Sequence, residues 1–423
     1  MASGRPLLSA RSAADAGWLY GAHVARYVAP LLLYPVLTRR LGLDGFGVYA
    51  AGLALALIVA VVVDYGLSLA GPRDIATDVE GRGVVVGQAL ALRALLIAPA
   101  VAAGFGLAMA TPALQGDTVA TAMAVVLGAG QGASLLWYFQ GVRDPAPAAL
   151  LEVGFALAAA VAVLAVPTLS TGGVIAVQAA GVWGGLAATA GLLIARQSVT
   201  PPTIHGMRRA LIDGAPLFAS RAVIVAYTGA AVLMTAALAG PVQAALYGVA
   251  DRLVSAAGSL MRPMAGMVAP RIAGLLTHDR AGAFRTARWT LIGAFGAFVG
   301  LAAFLMIAAP VVVRLLFGAA FAGATDVLRL LALVLPLVAI SQVLGVHLMT
   351  ALRMDRRFAA MTLLGCAATL GAGWLLTPTG GAVGMAWARI VGEVAVILAG
   401  LACLKGHWGA LFRGEGSRHV PAL

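Results

Sequence analysis

Long apolar segments occupy most of the 423 residues, and they constrain the fold of this chain more than any other feature. Hydrophobic residues make up 61% of the sequence and charged residues 10%, whereas an ordinary soluble domain is about half apolar and a quarter charged. One or two water-soluble domains cannot bury that much apolar surface. The sequence therefore predicts an all-α polytopic membrane protein. It excludes soluble enzymes, nucleic-acid-binding proteins and disulfide-stabilised secreted domains.

The positions of the apolar segments predict about twelve transmembrane helices, since a span needs roughly 20 residues. The longest polar interval, residues 196–209, contains two adjacent prolines and divides the spans six and six. We therefore predict two six-helix lobes, 1–200 and 201–423. The predicted spans are 14–37, 46–70, 86–109, 118–140, 147–166, 173–195, 211–238, 242–269, 287–309, 326–350, 357–377 and 381–404.

The distribution of basic residues predicts the orientation. With the N-terminus in the cytoplasm, eighteen of the 28 arginine and lysine residues fall in cytoplasmic segments and four in external ones. Cytoplasmic loops of membrane proteins are enriched in these residues. Both termini are thus predicted in the cytoplasm, and the net charge of +12 needs no nucleic-acid partner.

An internal repeat is indicated by two pairs of matching positions. Tyr49 and Tyr247 are 198 residues apart, and so are the Pro-Arg pairs that begin at Pro72 and Pro270. Together with the central linker, this shared offset predicts two similar bundles in parallel orientation.

Six arginines lie well inside predicted spans, seven or more residues from either end, where a charged side chain costs about 2.5–3.5 kcal/mol at the helix centre. Arg26 and Arg221 are roughly 18 and 15 Å from the cytoplasmic ends of their spans, too deep for their guanidinium groups to reach the surface. Either each arginine forms a structural ion pair between helices, or some line a hydrated cationic cavity for an anionic ligand. The six are Arg26, Arg93, Arg221, Arg252, Arg262 and Arg389.

The acidic residues decide which arginines have a partner close in sequence. Arg389 and Glu393 are four residues apart on one helical face, which predicts a structural pair. Asp251 and Arg252 are adjacent and point in different directions. Asp64 lies ~10 Å from the inner end of its span, where an interfacial position is as plausible as a buried one.

Arg26, Arg93, Arg221 and Arg262 have no evident acid nearby in sequence. Such a surplus of positive charge suits a phosphate or diphosphate, which arginine binds through two parallel hydrogen bonds.

No motif of an enzyme, metal site or cofactor site is evident. The single lysine, Lys405, is followed by glycine, so the chain has no Walker A sequence. His23 and His347 lie inside predicted spans, where each is interpreted either as part of a proton or ion relay or as a hydrogen-bonded structural residue.

Several motifs occur in the order found in Wzx-type polysaccharide flippases, and the sequence resembles that family over nearly its whole length. In the first half the motifs are Tyr34-Pro35-Val36-Leu37-Thr38-Arg39-Arg40-Leu41-Gly42, Gly45-Phe46-Gly47-Val48-Tyr49, Asp64-Tyr65-Gly66-Leu67, Pro72-Arg73-Asp74 and Trp137-Tyr138-Phe139-Gln140-Gly141. In the second half they are Pro216-Leu217-Phe218-Ala219-Ser220-Arg221, Tyr247-Gly248-Val249-Ala250-Asp251-Arg252, Pro270-Arg271-Ile272, Leu315-Leu316-Phe317-Gly318 and Gly384-Met385-Ala386-Trp387-Ala388. Val142-Arg143 stands where the family usually has an acid.

The resemblance implies the two-lobed fold of the multidrug/oligosaccharidyl-lipid/polysaccharide (MOP) exporter superfamily, also found in MATE transporters, with a central cavity and alternating access. It implies an inner-membrane flippase that moves undecaprenyl-diphosphate-linked oligosaccharide to the outer leaflet for O-antigen, capsule or exopolysaccharide assembly. Polysaccharide polymerase or export proteins are the implied partners. Spans one, two, seven and eight line the cavity in that fold, and the candidate residues there are Arg26, Asp64, Arg221, Asp251, Arg252 and Arg262.

Three alternatives remain. A cation-coupled multidrug antiporter of the same superfamily would favour carboxylates over a surplus of arginine in the membrane. A lipid II flippase usually has more than twelve spans. A membrane-embedded glycosyltransferase needs a large external loop with catalytic acids or a metal site, and the predicted external loops are short.

Overall fold

The computed structural model describes the backbone of residues 10–410 and the side chains of residues 33–410, apart from 220, 224, 226–228 and 262–267. Within this part of the chain every regular element is helical. The predicted all-α fold is therefore confirmed. The helices are α1 Ala10–Asp64, α2 Leu67–Thr77, α3 Arg82–Met109, α4 Pro112–Gln115, α5 Thr118–Gly132, α6 Leu136–Gly141, α7 Ala146–Ala165, α8 Thr171–Arg196, α9 Ile204–Thr228, α10 Ala230–Gly258, α11 Arg262–His278, α12 Arg280–Phe317, α13 Ala324–Ala332, α14 Val334–Gln342 and α15 Asp355–Cys403.

Nine helical stretches in the described residues are long and apolar enough to cross a membrane. Helices α1 and α15 each combine two spans that the sequence separates, because each contains a kink, at Gly42 and Gly381. If α15 were straight, its 49 residues would extend about 74 Å, more than twice the ~30 Å hydrocarbon core of a bilayer. The seventh predicted span covers α9 and the beginning of α10, and the eighth continues from Gly240 into α11. Gly240 is a third kink, within α10. When α1, α10 and α15 are divided at their kinks, the described helices overlap all twelve predicted spans.

The kink glycines add to the evidence for the repeat. Gly42 and Gly240 are 198 residues apart, the offset that separates Tyr49 from Tyr247, and both tyrosines are buried. The backbone angles at the two glycines are also alike, with φ 67° and ψ −170° at Gly42 and φ 85° and ψ 175° at Gly240. This conformation is essentially restricted to glycine, since a Cβ atom would clash with its own backbone. Both halves therefore use the same local device to turn from one span into the next.

Alanine at either kink should destabilise the protein through backbone strain alone. Among the described residues, no atom outside the glycine's own stretch of backbone lies within 4 Å of where a Cβ would be at Gly42 or Gly240, so Gly42→Ala and Gly240→Ala should each cost about 1–3 kcal/mol without a clash against another element. The measurement is the free energy of unfolding in lipid–detergent micelles. The matched control is Gly154→Ala, where a Cβ also meets no neighbour but the glycine lies within the regular helix α7. The control should be neutral or more stable by up to about 1 kcal/mol, and equal losses in all three variants would contradict the explanation.

The chain divides into two compact units, Met1–Val225 and Ala226–Leu423. In the first unit α1 packs against α3, α5, α7 and α8, and α2 packs against α3 and α6. In the second unit α10 packs against α13 and α15, and α12 packs against α11, α13 and α14. The predicted lobe boundary after residue 200 falls just before α9, whereas the first unit continues along α9 to Val225.

Candidate functional site

The candidate site of the first unit is built at a break in the second predicted span. Helix α1 ends at Asp64, and Tyr65 and Gly66 have positive φ angles of 47° and 80° before α2 begins at Leu67. The carboxylate of Asp64 caps the new helix, because its Oδ1 accepts a hydrogen bond of 3.1 Å from the backbone N–H of Ser68. Asp64 is only 7% exposed, so its carboxylate is buried within the protein.

Arg93 of α3 forms a buried ion pair with Asp64. Its Nη2 lies 3.0 Å from Oδ1 of Asp64, and 4% of the Arg93 side chain is exposed. Its Nη1 donates to the carbonyl oxygens of Ala133 and Ser134 at 3.2 and 2.7 Å. The Ser134 hydroxyl in turn donates to Glu152 at 2.6 Å. Arg93 therefore joins four segments of the first unit, and its terminal nitrogens are occupied by protein groups.

Arg221 of α9 approaches the same carboxylate from the other side. Its Nη1 donates to the hydroxyl of Ser68 at 2.9 Å, and that hydroxyl donates to Oδ2 of Asp64 at 2.8 Å. Its Nε lies 4.0 Å from Oδ2 of Asp64. The Arg221 side chain is 37% exposed, in contrast to Arg93. The two arginines that share Asp64 thus differ: Arg93 is enclosed by protein, whereas more than a third of the Arg221 side chain is accessible.

One face of α9 holds Arg221 against the break. Gly214, Leu217, Phe218 and Arg221 follow the helical spacing of three and four residues, and each contacts residues 64–68. The ring of Tyr65 stacks on Phe218 at a centroid distance of 4.8 Å. A Cβ atom on Gly66 would lie 2.8 Å from the Cβ of Leu217, so only glycine permits this approach. This face of α9 therefore places Arg221 beside Asp64.

In the second unit, a half-buried acid, Asp251, lies on α10 and a buried one, Glu393, on α15. Glu393 is 3% exposed, and its Oε2 accepts a hydrogen bond of 3.2 Å from Ser341. Arg389 lies within electrostatic range of Asp251, as does Arg252. The sequence-predicted structural pair between Arg389 and Glu393 stays a prediction.

Comparisons with known proteins identify the family. Residues 12–276 match the family described as "Polysaccharide biosynthesis protein". The chain belongs to this family. The "Putative O-antigen transporter" of Escherichia coli (strain K12) is 24% identical over 350 residues, which are 79% of this chain and 82% of that protein. The resemblance that the sequence motifs indicated is confirmed.

The fold is that of the MOP superfamily. A multidrug resistance MATE family transporter in an inward-facing conformation matches with a TM-score of 0.71 and 17% identity, over 91% of this chain and 96% of the other. Lipid II flippase MurJ in an inward closed conformation matches with a TM-score of 0.74 and 13% identity, over 93% and 88%. These likenesses show the fold, and the nine candidate membrane spans of the described residues make this polysaccharide biosynthesis protein a multi-pass membrane protein.

The structure shows how the residues of the Trp-Tyr-Phe-Gln-Gly motif pack in the first unit. Trp137, in the Trp-Tyr-Phe-Gln-Gly motif, is buried, and the guanidinium of Arg93 lies 5.7 Å from the centre of its ring. The ring also packs so tightly on Gly71 that a Cβ there would overlap it. Gly141 at the end of the motif allows similarly close contact with Ile75. The motif thus packs α6 against α2 and covers the buried ion pair.

Another family-like motif, residues 34–49, forms an aromatic cluster around the Gly42 kink. Tyr34, Phe46 and Tyr49 are buried, with ring centroids 5.2 to 6.2 Å apart around the Gly42 kink. Arg40 donates hydrogen bonds of 2.7 and 2.9 Å to the carbonyl oxygens of Val163 and Leu164, the last turn of α7. Arg40 therefore satisfies helix-end carbonyls that would otherwise lack a partner.

Several sequence-predicted residues stand outside the assembled site. The side chains of His23, Arg26 and Arg262 lie outside the described residues. His347 is buried in a π-helical segment, Val343–Met349, and neither ring nitrogen has a hydrogen-bond partner among the described residues. Neither the relay role nor the cavity role of these residues is tested.

Sequence reasoning could not identify the partner of two arginines and missed one serine. Arg93 and Arg221 have no acid nearby in sequence, but in the structure both meet Asp64, which is 29 and 157 positions away in the chain. Ser68 carried no signal as a site residue beyond its spacing of four from Asp64. In the described part of the chain no cluster of three metal-ligating His, Cys, Asp or Glu side chains occurs.

Proposed function

We propose that this protein is a flippase that moves undecaprenyl-diphosphate-linked oligosaccharide from the cytoplasmic to the outer leaflet of a bacterial inner membrane. The observation that carries the proposal is the arrangement at Asp64, where one carboxylate is shared by two arginines that lie inside predicted spans. Arg93 takes the closer contact, so the charge of Arg221 is only partly neutralised. An accessible guanidinium inside the membrane suits an anionic ligand, and arginine matches the geometry of phosphate.

The family supports the class of cargo. A polysaccharide biosynthesis protein with a fold like that of MOP transporters is suited to moving a lipid-linked sugar, and the similar Escherichia coli protein is named "Putative O-antigen transporter". In the proposed cycle the diphosphate is held by arginines in the cavity while the polyprenyl tail stays in lipid. The cavity is proposed to open alternately to each side of the membrane. Its proposed lining residues are Arg26, Asp64, Arg221, Asp251, Arg252 and Arg262.

The inside-negative membrane potential favours this direction of transport. Moving an anion outward gains about 2.3 kcal/mol per charge per 100 mV. His23 and His347 remain proposed sites for coupling to protons or another ion. Both termini are proposed to be cytoplasmic, and the polymerase or export proteins of the same pathway are proposed partners.

Transport in proteoliposomes tests the proposal. A fluorescent polyprenyl-diphosphate oligosaccharide is added, its exposure in each leaflet is measured with a membrane-impermeant quencher, and the membrane potential and pH gradient are varied separately. We expect protein-dependent movement that requires the diphosphate and is faster with the potential. Absence of movement, together with gradient-driven uptake of organic cations, would replace the proposal with a multidrug antiporter.

A further inference from the structure

Ser68 lies between Asp64 and Arg221, and both its backbone N–H and its side-chain hydroxyl form hydrogen bonds there. Its backbone N–H and its hydroxyl donate to the two carboxylate oxygens of Asp64, at 3.1 and 2.8 Å. With its proton directed at Asp64, the hydroxyl oxygen presents its lone pairs to Arg221, whose Nη1 donates to it at 2.9 Å. A hydroxyl that donates to a carboxylate is a stronger acceptor, because hydrogen bonds in a chain polarise one another.

The hydroxyl is also the closest contact that Arg221 makes at the break. The Nε of Arg221 lies 4.0 Å from Asp64, beyond hydrogen-bond distance, so the carboxylate attracts the guanidinium but does not fix its direction. Among the described residues the other terminal nitrogen of Arg221, Nη2, has no hydrogen-bond partner. The serine thus fixes one edge of the guanidinium and leaves the other edge available.

Asp64, to which Ser68 donates, is itself held in place by several contacts. It forms an ion pair with Arg93, whose side chain is 4% exposed and donates hydrogen bonds to two backbone carbonyls. The backbone of the break is pressed against α9 at Gly66 and Leu217. The sequence of contacts therefore runs from the enclosed Arg93 through Asp64 and Ser68 to the accessible Arg221.

We propose that Ser68 is a positioning residue for diphosphate recognition, acting through Arg221. The hydroxyl holds the guanidinium in the orientation from which its remaining N–H groups bind phosphate oxygens, so that little conformational entropy is lost when the ligand binds. This inference rests on the proposed function. It predicts that the affinity for diphosphates depends on the hydroxyl group of Ser68 only while Arg221 is present.

A double-mutant cycle on the full-length protein tests the inference. The probes are inorganic pyrophosphate and farnesyl diphosphate, with affinity measured by calorimetry on monodisperse protein in detergent micelles. Ser68→Ala should weaken binding of both probes by about 3- to 10-fold, the range for one hydrogen bond. Ser68→Thr keeps the hydroxyl and should bind within about twofold of the original protein. In an Arg221→Gln background, Ser68→Ala should have no further effect.

Control variants separate the outcomes. Ser259→Ala removes a serine hydroxyl that donates to the Ala256 carbonyl in the second unit, and it should leave binding unchanged. Equal weakening by Ser68→Ala with and without Arg221 would overturn the positioning role, because the serine would then act directly or through stability. If the unaltered protein binds neither probe, the proposed function fails together with the positioning role. If it binds the probes but the cycle shows no coupling between Ser68 and Arg221, only the positioning role fails.

Discussion

Replacing Asp64 by asparagine is expected to destabilise the protein by about 3–5 kcal/mol, the range for a buried ion pair that loses one partner. Arg93 would remain charged and enclosed, with 4% of its side chain exposed and no carboxylate within hydrogen-bond distance among the described residues. Its two backbone carbonyl contacts and its position over Trp137 cannot replace the lost charge. The measurement is reversible unfolding in lipid–detergent micelles.

The exposed pair of Asp144 and Arg196 provides a matched control. These residues approach to 2.7 Å, closer than the buried pair, but their side chains are 52% and 43% exposed. Surface ion pairs contribute about 0–1 kcal/mol, so Asp144→Asn should have little effect. The double variant Asp64→Asn, Arg93→Gln should recover a large part of the loss, because no unpaired charge is then buried. Equal losses for Asp64→Asn and Asp144→Asn would show that burial does not determine the strength of the pair.

Replacing Arg221 by glutamine is expected to slow transport of a polyprenyl-diphosphate oligosaccharide by about 10- to 100-fold, since a hydrogen bond to a charged group contributes about 1.5–3 kcal/mol. Its effect on stability should be small, because the side chain is more than a third exposed and lies 4.0 Å from Asp64. Arg221→Lys keeps the charge but loses the forked geometry, so transport should be intermediate. Initial rates in proteoliposomes give the measurement.

Arg209 offers the control on the same helix. It lies three turns before Arg221 in α9, is 79% exposed and is 3.7 Å from Asp213. Arg209→Gln should transport at nearly the original rate. If Arg221→Gln and Arg209→Gln transport equally well, Arg221 does not contact the cargo and its role is structural.

Much of the architecture could be predicted because hydropathy is a local property of the sequence. The lipid environment requires each span to be apolar and helical, so about 20 consecutive residues are enough to identify one. The repeat was also visible, since Tyr49 and Tyr247 share an offset with the later-found kinks at Gly42 and Gly240. What hydropathy could not provide was the division of α9, most of which packs with the first unit.

The class of this protein, its helical segments, its family and the arginines inside its predicted spans follow from the sequence alone. Which polar groups meet depends on the tertiary structure: Asp64 meets Arg93 across 29 positions, and Ser68 meets Arg221 across 153. Helical spacing relates residues three and four apart on one helix, but it does not say which faces of two distant helices touch. That choice is made by packing, here by Gly66 against Leu217 and by Tyr65 against Phe218, which together place a serine hydroxyl under the guanidinium.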